Sequence, residues 1–231
     1  MTNDKLKSDT YRLFGTLERH FGQKAVLNVG LMGEYNDFTQ AEFAPRIAYN
    51  YHLSPLHTIR FSASTATRIP TFGEENLDNK AVINGIVLDQ FELATQDLDP
   101  ERIRALDIGY LGESESGQVH WDVKLFHERV KDLISEVDVS FPVFADGETR
   151  DFLNSGFATI KGAEAQITFL LGKRSRLMLT HSELDIDGSD FVPRQNLSIS
   201  GPRRSSSFFI AMRTGIGLLA RYGIALAEIS R

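Results

Sequence analysis

The sequence predicts an all-β protein, an antiparallel up-and-down β-barrel that crosses a membrane with about ten strands. Apolar and polar residues alternate with a period of two along most of the 231 residues, as in strands with one apolar and one polar face. Short and long connections alternate between these runs. A bacterial barrel has the same asymmetry, with short turns at one end and long loops at the other. No run of about 18 apolar residues is present, which excludes a membrane-spanning helix.

The alternation is clearest between residues 43 and 75, where two runs are joined by the short turn Ser54-Pro55-Leu56-His57. Apolar side chains share one parity in both runs: Ile47, Tyr49, Tyr51, Ile59, Phe61 and Ala63. This pattern predicts an antiparallel hairpin. The apolar parity would face the core of a soluble sandwich or the lipid around a membrane barrel, and alternation alone does not separate the two.

Further strands are predicted on both sides of this hairpin, and no convincing helix is found. Residues 11–20 and 25–35 precede it, and the later strands are 103–112, 119–137, 157–171, 177–184, 205–212 and 217–226. Short turns fall near residues 22, 55, 115, 173 and 214, and the long loops are 72–99, 138–152 and 185–203. A soluble sandwich has no reason to keep this asymmetry, so it favours a barrel.

Composition excludes several classes of protein. A net charge of −6 argues against a nucleic-acid-binding protein, which would carry a basic patch. The absence of cysteine excludes a disulfide framework and a thiolate metal site. The first ten residues, MTNDKLKSDT, contain no apolar segment, so no secretory signal is expected within them.

One cluster of acidic residues is a weak candidate for a metal site. Asp185, Asp187 and Asp190 lie around Gly188 and resemble part of a calcium loop, in which carboxylates surround a tight turn. The closing Glu of that pattern is absent, so a polar turn in an outer loop is the preferred interpretation. None of the six histidines lies in a metal-ligand pair. We expect no catalytic residue, no enzymatic activity and no cofactor.

Several short motifs follow one another along the chain: Arg68-Ile69-Pro70-Thr71 followed by Glu74, Leu98-Asp99-Pro100-Glu101, Leu106-Asp107-Ile108-Gly109-Tyr110, Phe126 to Ile134, and Asn154-Ser155-Gly156 followed by Gly162-Ala163-Glu164. In this order they resemble the barrel of the TonB-dependent outer-membrane receptors. The resemblance covers about residues 11–213 and depends on the ordered set, because no single motif is specific. Asp107 stands where the family usually has Glu.

The resemblance implies a receptor for siderophore-iron, cobalamin or a similar nutrient in the outer membrane of a Gram-negative bacterium. Such receptors hold a plug inside a barrel of about 22 strands and draw energy through TonB. Residues 1–231 would form one partial barrel domain with no plug domain, so the chain alone is not expected to transport. Its implied partners are outer-membrane lipid, the missing plug and barrel strands, and TonB only through the plug.

Two other interpretations stay open at this point. A closed barrel of about ten strands could act as a passive pore or a surface barrel, since ten is an allowed even number. A soluble β-sandwich could act as a binding module. Within the receptor interpretation, Arg68-Ile69-Pro70-Thr71 is predicted to join a strand to an outer loop, because proline donates no ladder hydrogen bond. Arg68 would then face the lumen.

Overall fold

The computed structural model describes residues 9–37, 39–95, 97–139, 149–172, 175–188, 204–213 and 219–228, the last two segments as backbone with the side chain of Ser207. These residues form twelve strands and one short helix, α1. Their bounds are β1 Thr10–Phe21, β2 Ala25–Asn36, β3 Gln40–Ser54, β4 His57–Arg68, α1 Phe72–Asn76, β5 Asp78–Ile83, β6 Ile86–Leu93, β7 Glu101–Glu113, β8 Val119–Val139, β9 Thr149–Leu171, β10 Ser175–Gly188, β11 Arg204–Arg213 and β12 Leu219–Glu228.

Ten of the strands form one antiparallel sheet in the order β1-β2-β3-β4-β7-β8-β9-β10-β11-β12. Neighbours in this path follow one another along the chain, apart from the insertion of α1, β5 and β6 between β4 and β7. The sheet is not closed: among the described strands, β1 and β12 each have one neighbour. The predicted all-β, up-and-down, partial barrel is therefore confirmed. A sandwich needs two packed sheets, whereas these strands form a single layer.

All ten predicted strands are present, but the longest loop was predicted wrongly. Residues 72–99 are not irregular: they contain α1 and the hairpin of β5 and β6. Asn84 and Gly85 turn this hairpin with positive φ angles of 53° and 78°, as a two-residue turn requires. In addition, β9 begins at Thr149 and β10 continues to Gly188, so these strands extend further than predicted. Residues 140–148 and 189–203 of the other two long loops lie outside the described residues.

The register gives the sheet two chemically distinct faces. Phe61 lies opposite Tyr49 on β3 and opposite Ile108 on β7, and Ile108 lies opposite Leu125 on β8. We call the side that carries these residues the apolar face. The other side, the polar face, carries the residues of the opposite parity, such as Arg60, Ser62, Asp107, Asp122 and Lys124.

Most of the buried side chains lie at the long-loop end of the sheet. We call this part the rim: residues 68–101, the end of β8 from 132 to 139, and the start of β9 from 149 to 154. Of the six buried apolar residues, Leu98, Ile134 and Val137 lie in the rim, and Val130 and Ala158 lie next to it. We call the rest of the ten-stranded sheet the wall. Because the wall is a single layer, no second layer covers its side chains. Among the described residues, no helix is long and apolar enough to span a membrane.

Candidate functional site

Arg68 organises the rim where β4 ends. Its Nε donates to Glu101 Oε2 at 2.6 Å and its Nη2 to Glu101 Oε1 at 2.7 Å, across the last pair of the β4–β7 ladder. The same guanidinium donates to Glu74 of α1 at 3.1 Å. Glu101 also accepts the backbone N–H of Ile134 at 2.9 Å. Arg68 therefore joins a wall strand to the outer loop, as the sequence predicts, and its parity is that of the polar face.

The sequence of α1 explains why the loop turns where it does. Thr71 caps the helix: its hydroxyl accepts from Glu74 N at 3.3 Å, while its own N–H donates to Glu74 Oε2 at 2.7 Å. This reciprocal pair is a capping box, and a Thr followed three residues later by a Glu is its signature in the sequence. Partial burial acts to raise the pKa of Glu74, but the hydrogen bonds from Arg68 and Thr71 outweigh burial and lower it.

The second half of the loop is tied to the start of β9. Asp151 accepts the backbone N–H of Thr95 at 3.1 Å, the hydroxyl of Thr95, and the backbone N–H of Phe152 at 2.8 Å. Asn154 accepts the N–H of Asp99 at 2.7 Å and donates to the carbonyl of the same residue at 2.8 Å. These contacts hold the end of the loop that follows β4 against the start of β9, so the loop passes over the ends of β7 and β8.

The hairpin of β5 and β6 is fixed at the same place. The side-chain amide of Gln90 donates to Asp78 Oδ1 at 3.0 Å and to the carbonyl of Glu92 at 2.8 Å. The hydroxyl of Thr149 donates to the carbonyl of Gln90 at 2.7 Å. These hydrogen bonds are donated and accepted within the protein, which supports a structural role for the rim.

The acidic candidate cluster is only partly within the described residues. Asp185 and Asp187 lie in β10, so the predicted start of the third loop at residue 185 is wrong. Asp185 Oδ2 lies 3.1 Å from Lys161 Nζ of β9. Asp190 lies outside the described residues. Within the described part of the chain no group of three metal-ligating side chains is present, and the metal interpretation of Asp185, Asp187 and Asp190 stays a prediction.

The polar face carries cross-strand pairs that sequence reasoning missed. Arg60 of β4 reaches over Gly109 of β7 to pair with Asp122 of β8. The side chain fits because a Cβ at Gly109 would lie only 3.1 Å from Arg60 Nη2. Next to it, Lys124 Nζ lies 2.8 Å from Glu164 Oε2. These four charged side chains line a polar hollow of about 450 Å³. The alternation indicates a polar face, but only the register shows which charges meet.

An aromatic cluster lies at the short-turn end of the wall. The hydroxyl of Tyr110 lies 2.9 Å from His57 Nδ1, and the two rings stack with centroids 6.0 Å apart. Trp121 packs beside both rings and covers Gly112, which lies opposite it in the β7–β8 ladder. Aromatic side chains gather in this way at the ends of a membrane barrel wall.

An open up-and-down sheet with one apolar face, one polar face and a loop-built rim belongs to the class of β-barrel membrane proteins. The family model described as "TonB dependent receptor-like, beta-barrel" matches residues 1–222. The chain therefore belongs to this family. Its members are transport receptors of the Gram-negative outer membrane that work with a plug and with TonB.

Solved structures of siderophore receptors share the fold. The siderophore receptor PirA of Pseudomonas aeruginosa is 12% identical, with a TM-score of 0.69 over 94% of this chain and 39% of its own length. A mutant of the ferric enterobactin receptor PfeA of the same organism, in complex with enterobactin, is 13% identical, with a TM-score of 0.73 over 96% of this chain and 33% of its own.

The iron transporter FrpB of Neisseria meningitidis is 15% identical, with a TM-score of 0.65 over 94% of this chain and 32% of its own length. At these identities the three structures show a shared fold, and the chain spans between about a third and two-fifths of their length. No curated protein matches the chain significantly.

Proposed function

We propose that this chain forms part of the wall and rim of an outer-membrane receptor that takes up siderophore-iron, cobalamin or a similar nutrient with energy from TonB. The observation that carries the proposal is the continuous apolar face, on which Phe61, Ile108 and Leu125 lie side by side on three strands. Membership of the family supports a receptor, and the siderophore and iron receptors that share the fold support the nutrient class.

The exposure of the apolar face supports a lipid environment. Leu106 and Leu125 are 57% and 53% exposed although both are large and apolar, and many of their neighbours are similar. A soluble monomer rarely keeps so continuous an apolar surface in water. Lipid tails would cover it in the outer membrane of a Gram-negative bacterium, with Tyr110 and Trp121 near one interface and Tyr35 near the other.

The polar face would then line the lumen. Its paired charges, including Arg60 with Asp122 and Lys124 with Glu164, offer a hydrophilic wall to a plug. In this proposal residues 1–231 act as one barrel domain whose partners are lipid, a plug and further barrel strands. TonB would act on the receptor through the plug.

We also propose that the 231-residue polypeptide by itself does not transport. Within the described part of the sheet, β1 and β12 are edge strands with one neighbour each, which leaves backbone groups on their outer sides unpaired. Such edges are costly in lipid and prone to aggregation in water. A passive pore of about ten strands would need β1 and β12 to pair with each other, and the described sheet has no such pairing.

The lipid-facing assignment can be tested with single cysteines, because the chain contains none. Phe61→Cys and Ile108→Cys place a fluorophore on the apolar face, and Ser62→Cys and Asp107→Cys place it one residue away on the polar face. After refolding into vesicles, brominated lipid tails should quench the first pair strongly and the second pair weakly. Equal quenching of the two pairs would contradict the assignment.

The transport claim is tested separately in cells. The 231-residue chain, fused to an outer-membrane targeting signal, is expressed in a strain that lacks its siderophore receptors, and uptake of ferric siderophores is measured. We expect no uptake above that of the empty strain. Uptake restored by this chain alone would overturn the claim that it is not competent by itself.

A further inference from the structure

Four cations lie on the apolar face immediately next to the rim. Arg102 and Lys131 face each other across the β7–β8 ladder, and so do Arg104 and Arg129 one step further from the rim. All four have the parity of the apolar residues Leu106, Ile108 and Leu125, and all four are exposed. We call Arg102, Arg104, Arg129 and Lys131 the cation block.

Among the described residues, only one member of the cation block, Arg102, is paired with a carboxylate. Like charges directly opposite each other on two strands destabilise a sheet. Arg102 donates to Glu42 at 3.1 Å, but no described carboxylate forms an ion pair with Arg104, Arg129 or Lys131. A block of this kind is stabilised by anions from outside the chain.

Two carboxylates of β10, those of Asp185 and Asp187, lie on the same face as the cation block. Asp185, one row further from the rim on β10, pairs with Lys161 of β9 at 3.1 Å. Asp187 lies opposite Thr159, which in turn lies opposite Arg129. Two strand spacings, about 10 Å, therefore separate the backbones of Asp187 and Arg129.

An apolar hollow begins directly beside the cation block. It has a volume of about 550 Å³ and opens on the apolar face. Leu106 and His127, the pair that follows Arg104 and Arg129 in the ladder, both line it. The rest of its lining on this face comes from β3, β4, β7 and β8: Ile47, Tyr49, Phe61, Ala63, Ile108 and Leu125. Ser62, Asp107 and Phe126, which have the parity of the polar face, complete the lining.

We propose that the cation block binds the phosphate of a phosphorylated lipid, whose acyl chain lies in the apolar hollow. This inference rests on the proposed lipid-facing role of the apolar face. The long-loop end of a bacterial barrel points outward, which places the block at the outer boundary of the hydrocarbon layer. Long Arg and Lys side chains at such a boundary extend their charged groups toward the phosphates.

An amphiphile fits the site better than a free anion does. Inorganic phosphate would satisfy Arg104, Arg129 and Lys131 but would leave the adjoining hollow unoccupied. A neutral lipid would fill the hollow but leave the opposed cations without a partner. A lipid with a phosphate monoester matches both parts, and arginine guanidinium groups bind such phosphates with two parallel hydrogen bonds.

The test is to titrate the full chain, in nonionic detergent micelles, with phosphatidic acid and with phosphatidylcholine, counting bound lipids by native mass spectrometry. The variant carries Arg104→Gln, Arg129→Gln and Lys131→Gln. A matched control removes three cations from elsewhere with Lys24→Gln, Arg46→Gln and Arg176→Gln. Each cation near an anionic lipid contributes roughly fivefold in affinity, so the variant should bind phosphatidic acid on the order of a hundredfold more weakly.

We expect the control to bind within a few-fold of the native chain, and phosphatidylcholine to bind weakly to all three proteins. Equal affinity of the native chain for the two lipids would overturn the inference. So would displacement of phosphatidic acid by an equal concentration of inorganic phosphate, or unchanged binding in the variant.

Quenching of a fluorophore at Ile108→Cys by brominated lipid separates this failure from that of the proposed function. If the labelled Ile108→Cys chain is quenched but the native chain shows no preference for phosphatidic acid, only the lipid site is overturned. A chain that is not quenched overturns the lipid-facing assignment and this inference with it.

Discussion

The wall, which is the ten-stranded sheet outside the rim, continues into the rim on β8 and β9, yet the two regions keep their side chains in opposite environments. On the apolar face of the wall, Leu106 and Leu125 are more than half exposed. In the rim, Thr149 and Asp151 are each only 3% exposed, although both are polar. The wall therefore presents apolar groups to its surroundings, whereas the rim buries polar groups within the protein.

This difference shows that the two regions depend on different partners. Apolar side chains on a single-layer sheet gain stability only if the surroundings are apolar too. Buried polar groups gain it only if each finds a hydrogen-bond partner within the protein. Substitutions in the wall should therefore change the stability of the protein in a membrane. Substitutions in the rim should change only the local stability of the rim, in a membrane or in detergent.

The largest effect is expected for a charge on the apolar face. Ile108→Arg should lower the free energy of unfolding in a bilayer by about 2–4 kcal/mol, because the folded state must place the cation against hydrocarbon. Urea titration of the vesicle-inserted chain measures it. Ala48→Arg, on the polar face, is the matched control and should cost much less. Equal losses for the two variants would remove the distinction between the faces.

A methyl group where two strands meet closely should have the next largest effect. In Gly162→Ala the new Cβ would clash with the carbonyl oxygen of Glu183 and lie 2.8 Å from Phe126 Cζ. A backbone carbonyl cannot rotate away, so we expect a loss of about 3 kcal/mol, measured by urea titration. Gly15→Ala is the control, since nothing lies within 4 Å of its Cβ. A Gly162→Ala variant as stable as this control would contradict the packing.

Removing one carboxylate should open the rim without affecting the wall. Asp151→Ala leaves the N–H groups of Thr95 and Phe152 without their acceptor. We expect the local opening free energy of residues 95–99 to fall by about 2 kcal/mol. Hydrogen exchange measures it residue by residue. Unfolding of the wall at lower urea in the same variant would show that rim and wall form one cooperative unit.

The smallest effect is a dependence of the rim on pH. Partial burial raises the pKa of Glu74, but hydrogen bonds from Arg68 and Thr71 prevail, so its pKa lies below the ordinary value. Ionised Glu74 therefore stabilises the rim above its unfolded-state pKa, and this contribution is lost as the pH falls through its folded-state pKa. The protection of the α1 amides against hydrogen exchange, measured relative to the intrinsic exchange rate at each pH, should therefore fall on acidification.

The neighbouring carboxyl group, that of Glu75, contributes a pH dependence of the opposite sign. Partial burial raises the pKa of Glu75, so its contribution is complete below its unfolded-state pKa and is lost as the pH rises through the raised value. Glu75→Gln removes that opposing contribution and should leave a clearer acid response. In Glu74→Gln the acid response at α1 should disappear, and its persistence would assign it to another group.

Sequence reasoning predicted the wall better than the rim for a physical reason. Alternation is local, so it reveals both faces of every wall strand without knowledge of the pairing. The hairpin of β5 and β6 has a local signal as well, because Asn84-Gly85 between apolar residues favours a two-residue turn, and the prediction of an irregular loop was wrong. The ties from Thr95 to Asp151 and from Asp99 to Asn154 join residues more than fifty positions apart. No local pattern announces such pairs.

The cation block is a second feature that the local sequence does not reveal. Arg102, Arg104, Arg129 and Lys131 are unremarkable as separate residues in a sequence with 25 cations. Only the β7–β8 register places them opposite one another and beside the apolar hollow. Asp185 and Asp187 are the converse case, because their local spacing suggested a turn and the pairing with β9 holds them in a strand.

The parallel contact between Glu92 of β6 and Arg150 of β9 also constrains the order of folding. Residues 69–100 are synthesised before β7 and β8, but their partners Thr149, Asp151 and Asn154 belong to β9 and follow both of these strands. Contacts of long sequence separation form late, because the chain between them must first be ordered. The amide protons of Thr95 and Asp99 should therefore gain protection only after β9 has joined the sheet, and their protection reports that this part of the barrel is complete.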